Sequence, residues 1–265
     1  MHDFILCYDC RVFFVNHDQE KFPFMKHVLK SLIFCSALSA FATQAIAEDL
    51  DIFEEWSSNL ELGFVQTGGN TQVRSLSSKG KLVNESTSLR TSIEGAALNT
   101  TDKNNTTAEK YHTSLQEDWK FTVHDYMFGR IGFNTDRFGG FKRRISETLG
   151  YGRVLIKNEE LQWNAELGAG ARQSTFTTNI RKNEVIGRTS TNMEWQISDS
   201  AKFIQQLKTE GGKEGFASHS LTALQNKING SLSSKISYSA DHTSKVPAGT
   251  RKMDTEISIA LVWSH

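Results

Sequence analysis

Residues 161–173, LQWNAELGAGARQ, place Leu161, Trp163, Ala165, Leu167, Ala169 and Ala171 at every second position, with Gln162, Asn164, Glu166, Gly168, Gly170 and Arg172 between them. Successive side chains of an extended strand leave opposite faces, so the segment has one oily face and one wet face; a helix would scatter the same residues around its axis. The two-residue period recurs in Trp56, Leu60, Leu62 and Phe64, in Tyr111, Leu115, Trp119 and Phe121, and in Ile257, Ile259, Leu261 and Trp263. The oily face must meet either the core of a soluble β-protein or lipid.

From Glu48 onward the chain repeats one unit, a loosely alternating run followed by a polar break. Strand starts are expected near Trp56, Val73, Leu89, Lys110, Tyr126, Arg143, Leu161, Val185, Lys202, Ser218, Ser231 and Lys252. This spacing suits an antiparallel up-and-down transmembrane β-barrel of about 12 strands. Breaks at Asn84-Glu85-Ser86, Val123-His124-Asp125, Asn158-Glu159-Glu160, Ser198-Asp199-Ser200 and Asn229-Gly230-Ser231 read as tight turns in alternate slots. The intervening slots, at 100–107, 174–183 and 245–251, read as longer links. Turns on one side and loops on the other are a barrel trait. Pro247 is the only proline after the leader, as long hydrogen-bonded ladders require. Aromatic residues recur near strand ends, at Trp56, Trp119, Tyr126, Trp195 and Trp263, where an interfacial girdle places them. Glu117 and Glu147 fall on the lipid-facing parity, so those strands are expected to carry bulges or to hold the acids high in the wall.

Charge is balanced, 30 Lys plus Arg against 30 Asp plus Glu, and a polyanionic partner such as nucleic acid is not expected. A mean hydropathy of −0.42 excludes a bundle of membrane helices but not a barrel, in which only half of each strand meets lipid. Residues 25–47, MKHVLKSLIFCSALSAFATQAIA, combine Lys26 and Lys30, an apolar run from Leu29 to Phe41 and an A-x-A ending at Ala47. This is the pattern of a secretory signal peptide, too short for the roughly 20 apolar residues of a spanning helix. Residues 1–24 then read as a mis-assigned upstream start, and residues 48–265 as the barrel. Cys7, Cys10 and Cys35 all precede the cleavage point, so no disulfide and no metal site is expected in the mature chain.

Four blocks carry a family resemblance: GFVQTGGNTQVRSLSSKGKLV (63–83), DRFGGFKRRISETLGYGRVL (136–155), LQWNAELGAGAR (161–172) and VPAGTRKMDTEISIALVW (246–263). In this order they resemble the salt-induced outer membrane protein family of Gram-negative bacteria, the domain of unknown function 481 group. The most specific pieces are the TGGNT turn, Asp136-Arg137-Phe138 with its glycines, and the Pro-Ala-Gly loop before Met253-Asp254-Thr255. The resemblance implies an outer-membrane barrel, contacts with outer-membrane lipid and the barrel-assembly machinery, a connection with salt or osmotic stress, and no catalytic residues or cofactor. The chain ends Trp263-Ser264-His265, whereas such barrels usually finish on an aromatic residue.

With apolar residues outward, the opposite parity faces the lumen. It holds Arg130, Asp136, Arg144, Glu166, Arg172, Arg188, Glu194 and Asp254, together with Arg90, Glu94, Lys235, Asp241 and Glu256. Mixed charges at this density fit either a lumen filled by ion pairs or a narrow path for small solutes and ions. The competing class is a soluble periplasmic β-protein that binds an apolar ligand. A lesser alternative is an outer-membrane barrel hydrolase built on Asp241-His242-Thr243-Ser244: Asp241 and His242 leave opposite faces, whereas His242 and Ser244 share one and could meet, a spacing that is common by chance. His112 and Asp118 share a face but are separated by about 20 Å of strand. Gly68-Gly69-Asn70 is a hairpin turn rather than a phosphate loop, since no helix pattern follows it.

Overall fold

The computed structural model describes residues 56–66, 73–103, 105–138, 141–246 and 251–265. The leader, the upstream segment, the TGGNT turn and the Pro-Ala-Gly loop lie outside the described residues. Among the described residues there are twelve strands and no helix: β1 (Trp56–Gln66), β2 (Val73–Glu85), β3 (Leu89–Asp102), β4 (Asn105–Lys120), β5 (Asp125–Asp136), β6 (Phe141–Lys157), β7 (Leu161–Phe176), β8 (Arg181–Gln196), β9 (Ala201–Gly212), β10 (Gly215–Asn229), β11 (Leu232–Thr243) and β12 (Met253–Ser264). Each pairs antiparallel with its sequence neighbour, and β1 pairs with β12, so the sheet is a closed barrel. Closure removes the sheet edge, and lipid tolerates no unpaired edge. The seam aligns Asn59–Gly63 with Ala260–Ser264, and Ser58 and His265 extend it with two backbone bonds of 2.7 and 2.9 Å.

The apolar parity is outside. Leu62, Phe64, Leu149, Leu167, Ile257, Ile259 and Leu261 are all exposed, while inward neighbours such as Glu61, Thr148, Ser258, Ala260 and Val262 are buried. A soluble ligand-binding β-protein would bury this face, so the periplasmic alternative is overturned. All five tryptophans, Trp56, Trp119, Trp163, Trp195 and Trp263, project outward within three residues of the same barrel end. They form the girdle expected where an amphipathic ring meets the lipid interface. Tyr126 is not part of it: it is 2% exposed and points inward.

Both chain ends of the barrel and the tryptophan girdle share one rim, here the turn end. Its turns repeat one device, a side chain that accepts from the backbone N–H three residues on. Ser86 caps Leu89 at 3.0 Å, Thr122 caps Asp125 at 2.8 Å, Asn158 caps Leu161 at 2.6 Å and Ser198 caps Ala201 at 3.2 Å. Asx and hydroxyl turns of this kind satisfy donors that the ladder leaves free. At the opposite rim, the loop end, the expected long links are mostly strand. β3 and β4 run on until Asp102 pairs with Asn105, with Lys103 at φ 47°, and β7 and β8 leave only 177–180 between them. Threonine-rich segments such as 105–107 extend well, and pairing continues above the apolar belt. Among the described links the two rims therefore differ little in length, 177–180 and 213–214 at the loop end against 86–88 and 197–200 at the turn end.

The expectation for Glu117 and Glu147 is met in part: β4 carries a bulge opposite 100/101 and β6 carries bulges at 141/143 and 154/156, none of them beside either acid. Glu117 lies near the turn end and accepts from Thr91 at 3.1 Å; Glu147 sits in the middle of β6 between Ile131 and Ala171, facing out. Alternation is weak along β9 and β10 because the outer face there carries Gln205, Thr209, Ser218, Ser220 and Thr222. Thr222 donates to Gln205 at 2.7 Å and Thr209 meets Ser218 at 2.9 Å, which lowers the cost of holding these groups against lipid.

Candidate functional site in the barrel lumen

Cross-strand partners share a face, so the registers place every candidate charge on the inner wall. Arg130, Asp136, Arg144, Glu166, Arg172, Arg188, Glu194 and Asp254 all lie there, but in three separate layers rather than one cluster. Nearest the turn end, Asp118 accepts from Arg90 at 2.6 and 2.7 Å and from Gln116 at 2.9 Å, with Asp118 1% exposed. Glu194 pairs with Lys202 at 3.2 Å in the same layer. At mid-height, Gln116 donates to Glu166 at 2.8 Å, Arg188 reaches Glu166 at 3.7 Å and Glu210 at 2.9 Å, and Arg130 donates to Gln116 at 3.4 Å. Toward the loop end, Arg172 binds Glu184, and Lys110 lies between Asp136 at 3.6 Å and Asp254 at 3.3 Å.

Aromatic packing closes the β5–β7 side of the lumen. Phe128, fully buried, lies across the paired glycines Gly150 and Gly168, where an added Cβ would come within 2.6 and 2.9 Å of its ring. Tyr126 lies over Gly152 in the same way, and its hydroxyl donates to Glu166 at 3.2 Å. Glycine is needed at these positions because the rings occupy the space of a side chain. Phe128, Tyr126, Arg130, Arg188 and Ile186, at 0 to 8% exposure, exclude water from this side of the lumen.

The inner faces of β10–β12 are likewise buried, with Leu221, Ala223, Ser237, Ala260 and Val262 at 0 to 6% exposure, and the wetter sector lies beside β2 and β3. Lys79 and Lys81 of β2 point inward, yet their side chains are 40% and 48% exposed. Glu94 of β3, 25% exposed, takes Lys81 at 3.2 Å and also Lys208 at 3.7 Å. Strands β3 and β9 stand on opposite sides of the ring, so Glu94 and Lys208 form a bridge across the lumen. Beside it, Lys235 of β11 donates to Glu61 of β1 at 2.7 Å. Sequence reasoning placed Glu94 and Lys235 inward. It missed Lys208 and the bridge, because strand parity gives direction but not which residues face one another across a closed ring.

Neither acid–imidazole pair, Asp241 with His242 or His112 with Asp118, assembles. Asp241 accepts from the ring of His219 at 2.7 Å, and His242 lies on the outer face against Phe216 with ring centroids 5.2 Å apart. His112 bonds Asn134 at 2.7 Å, while Asp118 is held by Arg90. Among the described residues no group of three or more His, Cys, Asp or Glu is placed to hold a metal ion.

A closed antiparallel barrel with an apolar exterior, a tryptophan girdle and a charge-paired lumen has the fold of the outer-membrane porins and channels. The chain belongs to the family described as protein of unknown function DUF481, whose family model matches residues 60–265. It is 29% identical over 210 residues to the uncharacterized protein YdiY of Escherichia coli K12, covering 79% of this chain and 83% of that one. In structure it is similar to the NanC porin, with a TM-score of 0.51 and 10% identity over 78% of this chain and 99% of that one. It is also similar to an outer-membrane channel from Pseudomonas putida F1, with a TM-score of 0.49 and 10% identity, covering 82% and 99%. At 10% identity the likeness to the NanC porin is one of fold.

Proposed function

We propose that residues 48–265 form an outer-membrane barrel, delivered by the leader at 25–47 and inserted by the barrel-assembly machinery, that passes small ions and small polar solutes through a narrow luminal path. The observation that carries this reading is the unequal wetting of the lumen. Lys79, Lys81, Glu94 and Lys208 remain 25 to 48% exposed at the height where the β5–β8 side is dry. Water-accessible charges of both signs give a path with weak ion selectivity, and the Glu94–Lys208 bridge is its constriction. The bridge also supports the salt connection that the family resemblance implies: partly exposed ion pairs weaken as the Debye length shortens from about 10 Å at 0.1 M to about 3 Å at 1 M.

Planar-bilayer recording of the refolded protein tests this. The expected result is a small steady conductance that rises in Lys208→Ala. A folded, inserted barrel with no conductance above the bare bilayer, in wild type and in Lys208→Ala, contradicts the conduit and leaves a structural wall.

A further inference from the structure

Inside the loop-end rim, Arg144, Arg172, Ser174, Phe176, Lys182 and Glu184 line a cavity of about 290 Å³. This is close to the lower end of the usual range for small-molecule sites, about 300–1,000 Å³. Most of its charges are already engaged. Arg172 donates to Glu184 at 2.9 and 2.7 Å and to the Gly215 carbonyl at 3.1 Å, and Lys182 pairs with Glu214 at 2.6 Å. The second oxygen of Glu184 accepts from the Glu214 backbone N–H at 2.8 Å.

Arg144 differs. Its Nε donates to Ser174 Oγ at 3.3 Å and its guanidinium lies 4.1 Å over the Phe141 ring, with no carboxylate within ion-pair distance among the described residues. The lining as a whole sets Arg144, Arg172, Lys182 and Lys245 against Glu184 and Glu214, an excess of positive charge. A half-buried guanidinium without a counter-charge is costly to hold unless something supplies one, and its planar fork matches a carboxylate or a phosphate.

We propose that this cavity binds a small solute carrying a carboxylate or phosphate group, with Arg144 as the anchor and the solute's remaining surface against Phe176 and Ile180. Arg144, Arg172 and Ser174 face the lumen, so the ligand is a free solute entering from the loop end rather than a lipid headgroup. The site goes beyond the conduit reading and does not depend on it, because occupancy is an equilibrium property.

Titration calorimetry on the detergent-refolded barrel, with sodium phosphate and sodium acetate as separate probes in a chloride background, tests the proposal. Saturable binding of at least one probe at one site per chain is expected. Arg144→Gln should weaken it at least tenfold. Ile180→Glu, which places a carboxylate on an exposed link at the cavity wall without altering the barrel, should do the same and decides the matter if Arg144→Gln fails to fold. Absence of saturable binding in the folded wild type, or wild-type affinity in either folded variant, overturns the proposal.

Discussion

Replacing Asp118 by Asn keeps the shape of the side chain and removes one charge from the buried ion pair at the turn end of the lumen. Asp118 is 1% exposed and accepts three hydrogen bonds, two of them from Arg90 at 2.6 and 2.7 Å. Removing one partner of a buried pair typically costs about 3–5 kcal/mol, because the remaining charge is left without compensation. Arg90 is 23% exposed, and partial hydration of its guanidinium places the expectation at the low end, about 3 kcal/mol. That is a change of about a hundredfold in the folding equilibrium. The double variant Arg90→Met/Asp118→Leu removes both charges and should return to within about 1 kcal/mol of wild type, since apolar replacement of a whole buried pair is often neutral or stabilising. Reversible urea titration in short-chain phosphatidylcholine vesicles, followed by the girdle tryptophans, reads both variants at constant m-value. A cost below about 1 kcal/mol for Asp118→Asn would refute the reasoning, because exposed pairs contribute in that range.

Phe128→Ala should cost about 3–5 kcal/mol in the same titration and raise single-channel conductance severalfold, since it empties the space over Gly150 and Gly168. Unchanged conductance in a folded variant would show that the aromatic does not limit the path. Gly150→Val should prevent accumulation of heat-modifiable barrel, because its side chain would enter the Phe128 ring; wild-type folding yield would contradict that packing. Glu147→Leu should stabilise the barrel by about 1–2 kcal/mol by removing a lipid-facing acid from the middle of β6. A destabilised Glu147→Leu would mean that the carboxylate has a partner in the membrane.

The barrel was legible because lipid enforces a strict rule on half of the residues. Trp163, Leu167, Leu261 and Trp263 cannot change face without exposing charge to acyl chains, so two-residue periodicity and polar breaks gave the strand count and, for most strands, their starts. Register slippage of one residue would reverse every face at once. The lumen follows no such rule. Glu94 and Lys208 are 114 positions apart and meet only because β3 and β9 oppose each other in a twelve-membered ring. The role of Gly150, Gly152 and Gly168 as seats for Phe128 and Tyr126 was equally hidden, since glycine in a strand pattern signals a turn or bulge as readily as a close contact. Polar outer residues such as Gln205 blurred the alternation, and only their pairing with Thr222 explains why the wall accepts them.

The central claim is that the two faces of each strand meet different solvents, acyl chains outside and an enclosed, partly wet charge array inside. Single cysteines at Leu261, Trp163 and Lys81, labelled with an environment-sensitive fluorophore in the folded barrel, test it most directly. Probes at Leu261 and Trp163 should be quenched by brominated acyl chains and shielded from iodide, and the probe at Lys81 should show the reverse. Iodide quenching at Leu261 with no effect of brominated lipid would contradict the account.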